Sequence, residues 1–435
     1  MRACSARIAG LGDAARWAEV HRDRVASALA EITGVDRAPG PEWWPEYKMS
    51  VMQRMTRRQH LQSMFTALGA LTIGGCGATA ASGSARRTPT SPSMAGKTSK
   101  SNLIHLGLNE SPFGPSPRAI EAMQAEVAKV ARYTSDDEVA TLTNTIANIE
   151  NVRNEQVVLG EVLEPLGLHL ALAKGHGAEV VYSTPGYTAL TDATKVVGGA
   201  GVGVPLSGSL ENDLPALAAR IGERTAALFL VNPHNPSGAV SDATALFEFV
   251  REMSKRTLVI VDEAYLEYLP DFAARTCTML VREGGNVVVF RTFSKIYGLA
   301  GQPMGYALMP ISLADKLKEN GVGHARSLSR LAIAAAGASL RDASFISSVR
   351  LKVARERARW TATLDELGLR HSDARGNFVF FETGRPHAAF AAAMRARGID
   401  IGRMFPPLDT WARISIGLPD ENANAQAALR AIVRA

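Results

Sequence analysis

Short apolar runs rich in β-branched residues alternate with helix-like patterns from Asn102 to about residue 330. The runs are continuous and do not alternate between apolar and polar positions, which is typical of strands buried on both faces of a sheet. Stretches with helical spacing, such as Asp242–Lys255, lie between them and predict βα units with a mostly parallel sheet. The pattern therefore predicts an α/β fold of three layers, in which helices cover both faces of the sheet. The predicted strands are Val157–Leu159, Glu179–Ser183, Ala226–Val231, Leu258–Val261 and Val287–Phe290.

The pattern changes after residue 330. A long helical region rich in Ala and Arg spans Leu331–Leu369 and is followed by the predicted strand Phe378–Glu382. A helix near Ala388–Arg397 and a strand at Ala412–Ile416 come next. This order predicts a smaller α+β domain, completed by the N-terminal segment around Leu108–Glu126. We therefore expect an N-terminal arm that joins the small domain at residues 102–130, a large domain at 131–330 and a small domain at 331–435.

The first hundred residues predict an export leader. The sequence TRRQHLQ begins at Thr56, and the uncharged stretch after it ends in IGGC at Cys76. We interpret residues 49–76 as a twin-arginine signal with a lipobox, which implies a lipid anchor at Cys76 and a periplasmic or membrane-anchored protein. A buried helix with a chance Arg pair and a chance Cys is the alternative, and the protein would then be cytoplasmic. Residues 77–101 have the composition of a flexible linker, and residues 1–48 are either an over-extended start or a small helical extension.

Composition narrows the function classes. The net charge of +6 over 435 residues is spread along the chain, and no run of Lys or Arg is interleaved with aromatic residues. This distribution argues against a nucleic-acid partner. The three cysteines, Cys4, Cys76 and Cys277, lack metal-ligand spacing and a disulfide framework. We expect an enzyme without a bound metal ion.

Four residues in three segments point to pyridoxal phosphate. NPHNPSG, VDEAY and FRTFSKIYGLAG each have the pattern of a strand end followed by a loop. The amine of Lys295 can form a Schiff base, and the carboxylate of Asp262 can hold a pyridine nitrogen protonated so that the ring accepts electrons. The amide of Asn235 and the phenol of Tyr265 can bind the 3-oxygen of the ring. A single such residue is usually a solvated loop residue, but three segments in this order predict a cofactor site.

Seven motifs give these residues a wider context: LNESPFGPSP (108–117), RYT (132–134), PGY (185–187), NPHNPSG (232–238), VDEAY (261–265), FSKIYGLAG (293–301) and RISIG (413–417). Together they resemble the fold-type I, class I/II aminotransferases, and most closely the histidinol-phosphate aminotransferase branch, over about residues 102–432. The resemblance implies that Lys295 forms the Schiff base and carries the proton between the substrate Cα and the cofactor. It also implies that Tyr187 stacks on the ring and that the hydroxyls of Thr292 and Ser294 bind the phosphate.

The same resemblance implies roles in assembly and in substrate binding. Tyr133 resembles a tyrosine that reaches the phosphate of the neighbouring subunit's cofactor, which implies a homodimer with shared active sites. Arg413 resembles the arginine that binds the α-carboxylate of an amino acid, a task that suits a planar guanidinium. Asn109 lies in the loop that closes over the substrate. Arg403 approximately matches an arginine that meets the distal phosphate of histidinol phosphate, although Gly402 makes the register ambiguous.

The phosphate-binding half departs from the family pattern. The family continues GLAG with an arginine two residues later, whereas this chain has Pro303 there. The turn after the first strand of the large domain has small or hydroxyl residues in the family, and this chain has Val162 and Leu163. The backbone N–H groups of the following helix can still bind a phosphate. We expect weaker cofactor binding or compensation by another residue. Arg291 is one candidate, but the favoured interpretation of Arg291 is a solvated or salt-bridged side chain.

The leading hypothesis is an aminotransferase that moves an amino group from an amino acid to a 2-oxo acid through Lys295, with ping-pong kinetics. Two alternatives remain. A lyase or decarboxylase of the same fold would keep the cofactor residues, because fold alone does not decide the chemistry. The missing phosphate arginine also fits a cofactor-binding relative with little turnover. An exported protein favours a general or aromatic amino acid over histidinol phosphate as the amino donor.

Overall fold

A seven-stranded sheet is the main element of the computed structural model, which describes residues 103–434. The predicted leader, linker and N-terminal extension (residues 1–101) lie outside the described residues, and so does Asn102, the first residue of the predicted arm. The strands are β1 (Ile104–Leu106), β2 (Val157–Leu159), β3 (Glu179–Thr184), β4 (Ala200–Pro205), β5 (Thr225–Val231), β6 (Leu258–Asp262), β7 (Val287–Thr292), β8 (Gly305–Leu308), β9 (Phe378–Glu382), β10 (Ile399–Ile401) and β11 (Trp411–Ser415).

Helices connect most of these strands, and several begin at a side chain that caps the first turn. Ser135 accepts a hydrogen bond from the N–H of Glu138, whose carboxylate accepts one from the Ser135 N–H, which is the capping-box arrangement. The helices are α1 (Pro117–Val127), α2 (Asp136–Glu150), α3 (Leu163–Lys174), α4 (Ala189–Val196), α5 (Leu214–Ala219), α6 (Ala243–Met253), α7 (Thr278–Arg282), α8 (Ile311–Glu319), α9 (Arg330–Leu340), α10 (Ala343–Glu366), α11 (His387–Arg395) and α12 (Pro419–Val433). Single 3₁₀ turns lie at Asn154–Gln156, Leu266–Tyr268, Phe272–Ala274 and Ala325–Ser327.

The strand order of the large sheet is β2-β8-β7-β6-β5-β3-β4. Neighbouring strands from β7 through β6, β5 and β3 to β4 are parallel. Strand β8 is antiparallel to both β7 and β2, so the other six strands run in one direction. The prediction of an α/β fold with a mostly parallel sheet is confirmed.

Alternate side chains of every strand in the large sheet except β4 enter two hydrophobic cores, one on each face of the sheet. In β6, Val259 and Val261 belong to the larger core, whereas Leu258 and Ile260 belong to the smaller one. Helices α2, α5 and α6 contribute to the larger core, and α3, α4 and α8 contribute to the smaller one. The two covered faces explain why the sequence shows continuous apolar runs.

The C-terminal part of the chain forms two small sheets. Strand β11 pairs with β9 in an antiparallel register that sets Arg413 opposite Phe380. Strand β10 pairs in parallel with β1, so the N-terminal segment is joined to the C-terminal elements. Between residues 103 and 434, no helix is long and apolar enough to cross a membrane.

Candidate active site

The carboxyl ends of the parallel strands meet at one edge of the large sheet, and the candidate site lies there. Asp262 is the last residue of β6, Asn235 lies in the loop after β5, and Lys295 lies in the turn after β7. Tyr187 follows β3. Since β5, β6 and β7 are neighbours in the sheet, the fold brings together the residues that the sequence separates by tens of positions.

Asp262 is a buried carboxylate with only 3% of its surface exposed. Its Oδ1 accepts a hydrogen bond of 3.0 Å from the backbone N–H of Ala264, and no salt bridge to it forms within residues 103–434. Burial raises the pKa of Asp262 to about 7, while the Ala264 N–H and the charge of Lys295 act in the opposite direction. A cation placed against this carboxylate would hold it ionised, and a protonated pyridine nitrogen is such a cation.

The phenol of Tyr265 is held by two amides. Its oxygen accepts hydrogen bonds from Nδ2 of Asn109 at 3.1 Å and from Nδ2 of Asn235 at 3.4 Å. The ring packs edge-on against Phe378, with the two centroids 5.2 Å apart. Tyr265 and Asn235 therefore present polar atoms side by side, which suits the 3-oxygen of the cofactor ring.

Lys295 directs its amine toward these groups. Its Nζ lies 5.8 Å from the centroid of the Tyr265 ring and donates a hydrogen bond of 3.4 Å to the backbone oxygen of Leu108. The amine is thus next to the phenol, and its charge acts on Asp262. This is the arrangement that a Schiff-base lysine needs, because the amine must reach the aldehyde carbon of a ring held by the other residues.

Arg413 is a buried cation that has no acidic partner among residues 103–434. Its side chain is 6% exposed and donates hydrogen bonds to Oδ1 of Asn235 at 2.5 Å and to the backbone oxygen of Gly107 at 2.8 Å. Its Nε is buried and has no hydrogen-bond partner among the described residues. Burial lowers the pKa of Arg413 to about 10, so the guanidinium remains charged at neutral pH. An anionic ligand would satisfy this charge.

Arg403 lies near Arg413 but is exposed. Its guanidinium stacks over the ring of Phe405, with 4.5 Å from Cζ to the centroid, and Nη2 donates to the backbone oxygen of Gly186 at 3.3 Å. Arg413 lies over the same ring at 5.0 Å, and the charge of Arg403 contributes to lowering the pKa of Arg413. The site therefore has one buried and one exposed guanidinium.

Asn109 and Tyr187 are the two remaining predicted residues near the ring-binding residues. The backbone of Asn109 has a φ of +55°, and its N–H donates to Oγ of Ser415 at 2.8 Å. That hydroxyl donates in return to Oδ1 of Asn109 at 3.1 Å, which fixes the loop in place. Tyr187 is 40% exposed. Burial of its phenol and then the charge of Asp262 raise the pKa of Tyr187 above its ordinary value.

The residues assigned to the phosphate differ in whether their polar atoms are already hydrogen-bonded within the protein. The hydroxyl of Thr292 donates to the backbone oxygen of Met304 at 3.3 Å and accepts from the N–H of Ser294 at 3.1 Å. Thr292 is thus engaged within the protein, while Ser294 is half-buried. Val162 and Leu163 are buried at the start of α3 and pack in the smaller core. Their side chains have no polar atoms, so only the backbone of that turn can bind a phosphate.

Arg291 is salt-bridged, as the favoured interpretation of the sequence predicts, and it does not replace the missing phosphate arginine. Its guanidinium is 4% exposed and is held by Glu150 at 2.7 Å and by Glu263 at 3.0 Å. Its Nη2 also donates to Oγ1 of Thr276 at 2.9 Å. The strand alternation that places Thr292 toward the site places Arg291 on the opposite side, where two carboxylates already satisfy it.

Tyr133 is the assigned residue that stands apart from the others. It is 79% exposed and follows α1, and its backbone oxygen accepts a hydrogen bond of 2.9 Å from Arg330. Arg330 also forms ion pairs with Glu126 and Glu138, so the backbone at Tyr133 is fixed while the side chain extends into solvent.

Sequence reasoning missed several residues that support the site. Ser415 and Asn377 hold the Asn109 loop, the latter through a 3.0 Å hydrogen bond from its Nδ2 to the Asn109 backbone oxygen. Phe378 packs under both Tyr265 and Arg413. RISIG contains Ser415, and this was the available signal, but the contact joins residues 306 positions apart. Within residues 103–434, no cluster of three or more His, Cys, Asp or Glu residues could hold a metal ion.

The ring-binding residues fit pyridoxal phosphate. A buried carboxylate lacks a cation, a phenol is flanked by amides, and a lysine amine points toward them. The phosphate end fits less well, because it offers backbone N–H groups and Ser294 without an arginine at residue 303.

Comparisons with known proteins agree with this geometry. The sequence model of the family "Aminotransferase class I and II" matches residues 101–432. A histidinol-phosphate aminotransferase from Limosilactobacillus fermentum is 34% identical over 329 residues, which cover 75% of this chain and 90% of that protein. An aromatic amino acid aminotransferase from Thermobifida fusca is 37% identical over 319 residues, covering 73% and 87% of the two chains.

A solved structure shows the same fold with the cofactor bound. The histidinol-phosphate aminotransferase from Sinorhizobium meliloti, in complex with pyridoxal-5′-phosphate, is 31% identical to this chain and has a TM-score of 0.69. The likeness covers 76% of this chain and 91% of that structure. With the match to the family and the ring-binding residues in place, the chain belongs to the class I and II aminotransferases and is a pyridoxal-phosphate-dependent transaminase.

Proposed function

We propose that the protein transfers the amino group of an L-α-amino acid, with an aromatic or other large apolar side chain, to a 2-oxo acid in a ping-pong cycle. The observation that carries this proposal is the buried guanidinium of Arg413, which has no acidic partner within residues 103–434. Leaving a buried charge uncompensated is costly for folding, so its retention implies an anionic ligand. A planar carboxylate matches the fork of a guanidinium.

Each ring-binding residue has a distinct proposed task. When bound, pyridoxal phosphate supplies a carbon that bonds the amino group and a ring that takes up electrons from Cα. Asp262 keeps the ring nitrogen protonated, because its carboxylate is buried and lacks another cation. The Tyr265 hydroxyl and the Asn235 amide hold the 3-oxygen. The amine of Lys295 takes the proton from Cα and returns it to the cofactor carbon, since it is the basic group next to the phenol.

The wall around Arg413 favours an α-amino acid over histidinol phosphate. Arg413 lies between the rings of Phe378 and Phe405, with distances of 5.6 Å and 5.0 Å from Cζ to the centroids. These rings restrict the space around the guanidinium. Arg403, which approximately matches the arginine for the distal phosphate, is already engaged by the ring of Phe405 and the backbone oxygen of Gly186. The aromatic amino acid aminotransferase of Thermobifida fusca, 37% identical, supports the same choice.

The assembly and the destination of the protein belong to the same proposal. We propose a homodimer in which Tyr133 reaches the neighbouring subunit's cofactor, because its ring is exposed while its backbone is fixed. We also propose export through the TRR sequence at residues 56–58 and lipid attachment at Cys76. Fractionation of cells that produce the full chain, compared with a variant in which both arginines are lysine, tests the export.

The substrate proposal is tested by steady-state kinetics with purified protein. We expect phenylalanine or tyrosine to give a kcat/KM at least tenfold above that of histidinol phosphate, with 2-oxoglutarate as the acceptor. Arg413→Lys keeps the charge but loses the planar fork, so kcat/KM for the amino acid should fall by roughly 100-fold, mostly through KM. Cofactor absorbance in the variant controls for an intact site. A preference for histidinol phosphate, or an unchanged KM in Arg413→Lys, would contradict the proposal.

A further inference from the structure

Glu161 places a carboxylate at the phosphate end of the site. It follows Gly160, which ends the turn after β2 with a φ of +111° and donates a backbone hydrogen bond of 2.8 Å to Gly305 of β8. A φ of this sign favours glycine, so the backbone that directs Glu161 is fixed by the turn. The Glu161 side chain is exposed, and α3 begins two residues later at Leu163.

The charge of Glu161 affects the pKa values of groups in the candidate site. The pKa values of Asp262 and Tyr187 are both raised by it, and the amine of Lys295 in turn lowers the pKa of Glu161. Surrounding protein atoms and the neighbouring Glu164 raise the pKa of Glu161 overall. The geometry agrees, because Gly305 accepts the hydrogen bond from Gly160 and also pairs with Thr292 of β7, so the turn that carries Glu161 lies at the same edge of the sheet as Lys295.

The chemistry of the cofactor identifies which part of it Glu161 faces. In pyridoxal phosphate, the 3-oxygen and the phosphate arm flank the aldehyde carbon on opposite sides. Tyr265 and Asn235 mark the side of the 3-oxygen, so the phosphate lies beyond Lys295 on the other side, toward Ser294 and the start of α3. Glu161 is the acidic residue that immediately precedes that helix.

Within residues 103–434, no arginine forms an ion pair with this carboxylate. Residue 303 is proline, and Arg291 is held by Glu150 and Glu263 on the far side of β7. The hydroxyl of Thr292 is bonded to the main chain. A phosphate at this end therefore meets a negative side chain with only backbone N–H groups, Ser294 and the Lys295 amine as favourable neighbours.

We propose that Glu161 determines how tightly the protein holds the phosphate group of its cofactor, by setting a carboxylate charge against it. This inference rests on the proposed function, since it assumes that pyridoxal phosphate occupies the site. Two like charges at close range repel even in water, and more strongly at a protein surface. Removal of the charge should therefore tighten cofactor binding, whereas removal of a true ligand would loosen it.

The pH dependence follows from the same charges. The second ionisation of a phosphate monoester has a pKa of about 6. As the pH rises, the phosphate changes from a monoanion to a dianion, so its repulsion from the Glu161 carboxylate increases and the affinity for pyridoxal phosphate falls. The other groups that face Glu161 are Glu164 on α3, Asp262 at the end of β6, Tyr187 after β3 and Lys295 after β7. All four groups remain in a Glu161 variant. A difference between the variant and the wild type in the pH dependence of cofactor affinity is therefore due to Glu161.

The test measures the dissociation constant of pyridoxal phosphate from the full-length chain by fluorescence titration at pH 5.5 and pH 8. Glu161→Gln and Glu161→Ala both remove the charge, and Glu248→Gln removes an exposed carboxylate on α6 as the matched control. Pyridoxal, which lacks the phosphate, is titrated in parallel. At pH 8 we expect both Glu161 variants to bind pyridoxal phosphate about tenfold more tightly than the wild type, and at pH 5.5 only about threefold more tightly, because the phosphate then carries about half the charge. Their affinity for pyridoxal and the behaviour of Glu248→Gln should match the wild type.

Equal affinities of the wild type and both Glu161 variants at pH 8 would overturn the inference, and so would an equal gain for pyridoxal. Weaker binding in both variants would make Glu161 a ligand and would also overturn it. These outcomes leave the proposed function standing if the bound cofactor still shows the absorbance of a Schiff base with Lys295. If neither the wild type nor any variant binds pyridoxal phosphate at either pH, the proposed function itself fails.

Discussion

At the scale of single residues, the site is a set of buried charges that are left without partners in the protein. Asp262 is a carboxylate 3% exposed without a salt bridge, and Arg413 is a guanidinium 6% exposed without an acid, both judged within residues 103–434. Such groups destabilise the fold unless a ligand satisfies them. The two charges have opposite signs and therefore select opposite partners, a protonated ring nitrogen at Asp262 and an anion at Arg413.

Asp262 should make the cofactor-free protein less stable as the pH rises. Its pKa is about 7 in the folded chain, against an ordinary value of 3.8, so the folded state binds the proton more tightly than the unfolded state. The stabilising contribution is complete below pH 4 and is lost as the pH rises to about 7. Between pH 4 and pH 8, the free energy of unfolding should fall by roughly 4 kcal/mol more in the wild type than in Asp262→Asn.

Denaturation by urea over this pH range measures the effect on protein freed of cofactor. Neighbouring acids such as Glu263 are common to both proteins and cancel in the comparison. Parallel pH profiles for the wild type and Asp262→Asn would show that burial does not perturb this carboxylate. In the holoenzyme the difference should shrink, because the ring nitrogen then holds Asp262 ionised.

The principal site residues could be predicted from the sequence because each lies at a strand end in a segment of fixed pattern. Lys295, Asp262 and Asn235 are examples, and the structure brings them together. Supporting residues could not be predicted in this way. Ser415 and Asn377 act through hydrogen bonds to Asn109, which lies 306 and 268 positions away in the chain. Their roles exist only after the N-terminal segment has packed against β9 and β11.

At the scale of elements, a buried ion network joins the strands that carry the site. Arg291 of β7 is held by Glu150 of α2 and by Glu263, which directly follows β6. The hydroxyl of Tyr306 in β8 donates to Glu150 at 2.8 Å. Although burial alone would lower it, the neighbouring Tyr306 and Glu150 hold the pKa of Arg291 well above its ordinary value. The network therefore ties β6, β7, β8 and α2 together beneath the site.

Replacement of Arg291 should affect stability and leave the cofactor phosphate undisturbed. Arg291→Met leaves two buried carboxylates without a cation, so the free energy of unfolding should fall by about 3–5 kcal/mol. Arg251→Met is the matched control, because Arg251 pairs with Glu283 on the surface and should cost less than about 1 kcal/mol. Urea denaturation measures both. A loss of pyridoxal phosphate affinity in Arg291→Met, without a loss of stability, would contradict this and indicate that Arg291 binds the cofactor phosphate.

The elements that the sequence predicted are those with strong, uniform patterns. The five apolar runs of the large domain coincide with β2, β3, β5, β6 and β7 to within a few residues. Strand β4 was missed because AGVGVP has two glycines and a proline, and β8 because its sequence, GYAL, has no β-branched residue. The region Leu331–Leu369 is two helices, α9 and α10, since the chain breaks at Arg341 and Asp342, and Asp342 caps the second helix.

At the scale of the whole molecule, the account requires two copies of the chain at each active site. Tyr133 is exposed on one chain, and a residue that reaches the neighbouring subunit's cofactor must be exposed in this way. The protein should sediment as a dimer. Tyr133→Phe removes the hydroxyl that would reach the phosphate, so it should weaken pyridoxal phosphate binding by about fivefold without changing the dimer.

Mixed dimers decide whether the tyrosine acts across subunits. A chain with Tyr133→Phe keeps its own Lys295, and a chain with Lys295→Ala keeps its own Tyr133. In a mixed dimer, one site should combine both intact residues and bind the cofactor with wild-type affinity. Affinity that stays at the Tyr133→Phe level in the mixed dimer would place the tyrosine in its own subunit's site or outside the site.

The central claim is that Lys295, Asp262, Tyr265 and Arg413 together perform transamination. A single-turnover experiment on the purified full chain tests it most directly, with phenylalanine or tyrosine added in the absence of any 2-oxo acid. The account predicts one equivalent of the matching 2-oxo acid per active site, no carbon dioxide, and recovery of the starting cofactor absorbance when 2-oxoglutarate is added. Lys295→Ala should release at least 1,000-fold less 2-oxo acid than the wild type in the same time. Release of carbon dioxide or an elimination product, or no 2-oxo acid from any amino acid of a full panel, would contradict it.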